Sequence, residues 1–109
     1  RYKSQTVSSR ALPYNRKELC NMKPVDILNE AASLVSGDRA KQHGDYVELH
    51  SRTADLWSVF LKTNIKPSDV AFCMTLLKVA REETGGSNPD DGVDASAYTG
   101  LWAALTKNA

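Results

Sequence analysis

The residues best suited to chemistry gather where two helix-forming stretches meet. Lys78 follows Met74 by four and Arg81 follows Leu77 by four, so both cations extend the apolar side of one stretch. Beyond a polar breaker, Asp91 and Asp94 stand three apart, one helical turn along one face. Asp94 also begins the stripe Asp94, Tyr98, Leu101, Trp102 and Leu105. A carboxylate on a core-facing stripe is costly unless it is paired with a cation or bound to a metal. Two readings follow. One is a partly buried ion-pair cluster that fixes helix register, with Asp94 favoured by the helix N-terminus. The other is a site for a phosphorylated ligand, in which Asp91 and Asp94 hold Mg²⁺ and Lys78 and Arg81 meet phosphate oxygens.

Other candidates lie further back. Glu48 stands three residues after Asp45, the capping-box spacing, and as a third carboxylate would be a metal ligand and catalytic group. Lys41 and His43 fall in the polar connection Gly37–Asp45 and are candidate substrate contacts, with solvent exposure as the plainer alternative. His50 lies on an apolar stripe, the pattern of a satisfied core histidine. Trp57, Trp102 and Tyr98 fall at the spacing of core or subunit-interface residues; stacking on a base is the alternative, and Tyr98 is carried forward as a substrate contact. Cys73, mid-stripe, reads as a small buried apolar residue.

Helices must position all of these. The first is expected over 24–36, opened by Pro24 with Asp26 in its first turn and closed by Gly37, with the stripe Ile27, Leu28, Ala31, Leu34 and Val35. The second spans about 46–62, capped by Asp45, with the stripe Val47, His50, Ala54, Trp57 and Leu61, widened by Leu56 and Phe60. The third spans about 67–83, from Pro67-Ser68-Asp69 to Gly85-Gly86, with the stripe Val70, Cys73, Met74 and Leu77. Residues 85–91 read as a breaker, and the fourth helix spans about 92–107. No strand-like alternation and no internal repeat is present.

Residues 1–22 show no sustained period and hold five basic side chains against one acidic; residues 23–109 hold nine against twelve. The chain therefore reads as a basic N-terminal arm, 1–22, on a slightly acidic all-α domain, 23–109. The arm is a solvated extension, or it contacts a neighbouring subunit or larger assembly. A net charge of +1 in 109 residues argues against wholesale polyanion binding, and no helix presents a basic, base-reading face. No apolar run is long enough to span a membrane, and no secretion signal is expected. Cys20 and Cys73 lack zinc or disulfide-framework spacing, which fits a reducing compartment. A domain this small buries a limited share of its surface, so self-association is expected to assist it.

One set of segments carries a resemblance. It comprises ILNEAASLVSGDRAKQHGD from Ile27, Glu48, His50-x-Arg52, Leu56-Trp57, SDVAFCMTLLKVAR from Ser68, and Asp91-Gly92-Val93-Asp94 followed by Tyr98. Over about eighty residues, Ile27 to Leu105, the chain resembles small, often phage-encoded all-α proteins related to the MazG-like nucleoside triphosphate pyrophosphohydrolases. The resemblance implies a four-helix module that forms dimers or tetramers in a bacterial or phage-infected cytoplasm. It implies Mg²⁺-dependent cleavage of a nucleoside triphosphate (ribo or deoxy) to monophosphate and pyrophosphate. That family holds magnesium with EExxE on one helix and ExxD on the next. Asp91-x-x-Asp94 takes the place of ExxD. No intact EExxE is present: Lys78 and Arg81 stand where carboxylates are expected, Glu82-Glu83 comes later, and Glu48 would stand in from the second helix. By the same resemblance Lys78 and Arg81 would steady the phosphate charge and Asp94 would serve catalysis. The altered acid set leaves two other roles open: a non-catalytic nucleotide-binding protein, and an assembly subunit, viral in type, with the arm as tether.

Overall fold

The structure, a computed structural model, describes residues 21–36 and 45–107, and among these it is all-helical without strands. Four helices account for most of them: α1 (Pro24–Leu34), α2 (Tyr46–Leu61), α3 (Pro67–Gly85) and α4 (Pro89–Lys107). The expected arm, 1–22, lies almost wholly outside the described residues, as do Lys41 and His43.

The helix starts follow from local chemistry. Asp26 accepts a hydrogen bond from the backbone N–H of Lys23 at 3.0 Å, and Asp69 accepts one from Lys66 at 2.9 Å. In both cases a proline opens the helix, where its missing N–H costs nothing. Asp45 caps α2 by accepting from the Val47 N–H at 2.9 Å. Glu48 does not complete a capping box there; it pairs with Arg52 one turn on. The fourth helix begins three residues earlier than expected. Asn88 caps it, its side-chain oxygen accepting from the Asp90 N–H at 3.0 Å, and Pro89 takes the first helical position. The breaker therefore shrinks to three residues, 86–88, entered through Gly86 at φ +85°, a left-handed conformation that a Cβ would strain.

So short a turn folds α3 and α4 into an antiparallel hairpin. This hairpin is the centre of the molecule: α1 packs mainly on α4, and α2 mainly on α3. The hairpin is closed along its length by Thr75 and Thr99, whose hydroxyls meet at 3.4 Å, and by a tilted Phe72–Trp102 ring contact at 5.4 Å. Ala31, Val93 and Ala97 form the buried cluster between α1 and α4, flanked by Ile27 and Leu34. Ala54, Val70 and Ala71 are buried at the α2 and α3 positions. Small side chains dominate, and among the described residues no large side chain is fully enclosed.

Several expected core positions lie outside this core. Leu28, Val35, Val47, Leu61 and Leu77 are exposed, and so are Leu56 and Phe60 on α2. Cys73 is exposed rather than buried. For the positions on α1 and α2 the reason is the layered arrangement: each of these helices meets chiefly one neighbour, so only a narrow face of it is covered. His50 behaves as expected, buried with its Nδ1 at 2.8 Å from the Tyr46 carbonyl. No helix among the described residues is long and apolar enough to cross a membrane.

Candidate functional site

The α3–α4 turn brings four of the expected site residues together. On α3, Lys78 and Arg81 are three apart; on α4, Asp91 and Asp94 are three apart. The antiparallel hairpin sets the two couples face to face. Lys78 Nζ lies 3.0 Å from Asp94 Oδ2, and Arg81 Nε lies 3.5 Å from Asp91 Oδ1. Lys78 is tightly enclosed, its side chain 15% exposed, against 35% for Asp94. The second pair is reversed: Asp91 is enclosed, whereas half of the Arg81 side chain faces solvent.

Asp91 carries the unusual electrostatics. Burial raises its carboxyl pKa above the ordinary value. Arg81 opposes that shift, Glu82 adds to it, Lys78 opposes it and Asp94 adds to it. The long contact with a half-exposed arginine does not fully offset the cost of enclosing this carboxylate. A carboxylate perturbed by burial beside a cleft marks a candidate functional site.

Beside this cluster opens a cleft of about 400 Å³, within the usual range for small-molecule sites. Ile27 of α1 lines it, with Lys78, Val79, Glu82 and Glu83 of α3, Ser87 and Asn88 of the turn, and Pro89, Asp91, Gly92 and Ala95 of α4. Lys78 and Asp91 thus reach the cleft directly, whereas Asp94 and Arg81 stand behind them as their ion-pair partners. Glu82 accepts the backbone N–H of Asn88 at 3.1 Å and so ties the end of α3 to the start of α4. Glu82, Glu83 and Asn88 are additions to the expected set. The run Asn88-Pro89-Asp90-Asp91, a cap followed by a first-turn proline and acids, is the signal that places Asn88.

The other expected residues stand apart. Glu48 is exposed on α2 and engaged by Arg52 at 3.5 Å, and it does not line the cleft. Tyr98 is half-buried on α4, one turn beyond Asp94, and likewise does not line it. Among the described residues no group of three histidine, cysteine or acidic side chains is placed to hold a metal ion. The acids lining the cleft are Glu82, Glu83 and Asp91, while Asp94 does not line it, and Asp91 and Asp94 are each engaged by a cation. A Mg²⁺ ion, which commonly takes one or two carboxylates and completes its shell with water and phosphate oxygens, would have to displace those cations to bind them.

The fold and its acid–base cleft define an all-helical domain, and the chain belongs to a family described as a domain of unknown function, DUF6378, whose model matches residues 26–106. Among curated proteins it is similar to the Gene 55 protein of Mycobacterium phage L5, 38% identical over 78 residues, 71% of this chain and 50% of that protein. It is also similar to the Gene 55 protein of Mycobacterium phage D29, 38% identical over 74 residues, 68% of this chain and 49% of that protein. The chain thus spans about half the length of these phage relatives. No solved structure matches it.

Proposed function

We propose that this domain is a MazG-like, Mg²⁺-dependent nucleoside triphosphate pyrophosphohydrolase acting in a phage-infected host. The observation that supports it most is the paired arrangement beside the cleft: two carboxylates one turn apart on α4, met by two cations one turn apart on α3, with Lys78 and Asp91 lining the cleft itself. Asp91 and Asp94 would hold the metal, which in such enzymes neutralises phosphate charge and activates water. Arg81, half exposed and on one long contact, would turn to a phosphate oxygen as a bound cation takes over the charge of Asp91. Lys78 lines the cleft and would steady negative charge there. Glu82 would act as a positioning residue, holding the turn that carries Asn88 and Asp91.

The test is pyrophosphate release from a panel of NTPs and dNTPs with and without Mg²⁺. The expected result is metal-dependent release that is lost in Asp94→Asn and Asp91→Asn while helix content is retained. Equal turnover by wild type and both variants would overturn the site.

A second reading is non-catalytic nucleotide binding. It is favoured by the engagement of both carboxylates with cations and by the distance of Glu48 from them. Saturable nucleotide binding, weakened by Lys78→Met and accompanied by no release of pyrophosphate, would establish it over the first.

A further inference from the structure

The acidic excess of the domain sits at one end of it. Residues 23–109 hold nine bases and twelve acids; two of those bases and five of those acids fall between Lys78 and Asp94, which leaves seven of each elsewhere. That stretch is the end of α3, the turn and the start of α4, and it supplies most of the cleft wall. Its two bases are already engaged, Lys78 by Asp94 and Arg81 by Asp91. Glu82, Glu83 and Asp90 form no ion pair among the described residues. Glu82 and Glu83 line the cleft, and Asp90 directly follows Pro89 of the lining. Ile27, Val79, Pro89 and Ala95 make much of the remaining wall apolar. Apolar walls beside unpaired carboxylates suit a segment that carries apolar side chains between cations.

We propose that residues 10–17 of this same chain dock on that cleft. Residues 1–20 lie outside the described residues, but their charge and their point of attachment both lead to this end of the domain. The run Arg10-Ala11-Leu12-Pro13-Tyr14-Asn15-Arg16-Lys17 sets Leu12 and Tyr14 between Arg10 on one side and Arg16 and Lys17 on the other, and it holds no acid. Its three cations match the three unpaired acids at the cleft in number. The attachment is close. The first helix begins at Pro24, and Ile27, within its first turn, lines the cleft, so the chain enters the domain within about 5 Å, along the helix axis, of the cleft wall. Tyr14 precedes Lys23 by nine residues, a reach of up to about 30 Å. Tethered at that length, the segment meets the cleft at an effective concentration on the order of millimolar. The rest of the domain, balanced in charge, offers the segment no comparable counterpart. This inference does not rest on the nucleotide reading: the charge and lining of the cleft enter it, and no catalytic role does.

Paramagnetic broadening in the amide spectrum of the full chain, without nucleotide, is the test. A nitroxide is attached at Ser9→Cys in a Cys20→Ser/Cys73→Ser background. The amide signals of Glu82, Glu83, Ser87, Asn88 and Asp90 are expected to lose most of their intensity. Those of residues 62–66, which join α2 to the far end of α3, should keep theirs. Arg16→Glu/Lys17→Glu should restore most of the lost intensity, and so should Glu83→Lys/Asp90→Lys, each with unchanged helical circular dichroism. The two reversals combined should bring the broadening back, because opposite charges then meet again. Broadening spread evenly over the domain, or unaltered by either reversal, overturns the proposal, as does a combined reversal that fails to bring it back. Broadening that passes from a spin-labelled chain to an isotope-labelled one in a mixed sample, and is absent within one chain, places the segment on another molecule and overturns it too. Failure here leaves pyrophosphate release untouched, and a chain that releases none can still show this docking, so the two readings fail separately.

Discussion

The Lys78–Asp94 pair offers the sharpest quantitative test of the site's electrostatics. At 3.0 Å its attraction is about 5–6 kcal/mol at an effective dielectric of about 20. Most of that is offset by the water both groups give up. Exposed pairs net about 0.2–1 kcal/mol, whereas removing one partner of a fully buried pair costs about 3–5 kcal/mol. With side-chain exposures of 15% and 35%, this pair falls between the two limits. A coupling of about 1–2 kcal/mol is therefore expected. The two single variants should differ. Asp94→Asn leaves an enclosed ammonium without its carboxylate and should cost about 2 kcal/mol. Lys78→Met leaves a carboxylate that can still hydrate, and keeps the apolar packing of the stem, so about 1 kcal/mol is expected. Urea denaturation of wild type, both singles and Lys78→Met/Asp94→Asn gives the coupling directly. Each kcal/mol should move the thermal midpoint by about 4–8 °C in a domain near this size. A coupling below about 0.5 kcal/mol, or a larger loss for Lys78→Met than for Asp94→Asn, would refute the reasoning.

Other outcomes follow from the same geometry. Asp91 has a raised pKa in the folded protein, so the folded state binds its proton more readily than the unfolded chain. The stability contribution of Asp91 is then greatest below the ordinary carboxylate pKa and is lost as pH rises through the folded value. Asp91→Asn should match wild type in strong acid and gain on it towards neutral pH, measured as denaturation midpoints from pH 3 to pH 7; a relative loss with rising pH would contradict the burial argument. Ser58 staples the α2–α3 connection, accepting from the Ile65 N–H at 2.9 Å and donating to its carbonyl at 3.2 Å. Ser58→Ala should cost about 1–2 kcal/mol in urea denaturation, and no measurable loss would remove the staple from the account. Asn88→Ala should cost about 1 kcal/mol by uncapping α4, with Asn88→Asp recovering most of it, because aspartate caps as well.

The helices, and most of their ends, were legible without coordinates. Proline at the first position, an acid in the first turn and glycine beyond the last are local effects, and local effects are written in neighbouring residues. The start of α4 was misplaced because residues 85–91 read as one breaker, although Asn88-Pro89 carries its own start signal. The couples Lys78/Arg81 and Asp91/Asp94 were also legible, since three-residue spacing on a helix fixes a common face and a short turn brings the two faces together.

What the sequence could not decide is which apolar face each helix buries. Leu56 and Phe60 carry the same periodic signal as Ala54 and Trp57, yet the fold covers one set and leaves the other open. Periodicity reports that a face is apolar, not what lies against it, and that depends on the order in which the helices stack. The same limit applies to Glu48 and Cys73. Each is plausible at its position along a helix, but the rotation of that helix pairs Glu48 with Arg52 and turns Cys73 outward. The enclosure of Asp91, and with it the raised pKa, also belongs to the tertiary structure, because desolvation is set by neighbours distant in sequence.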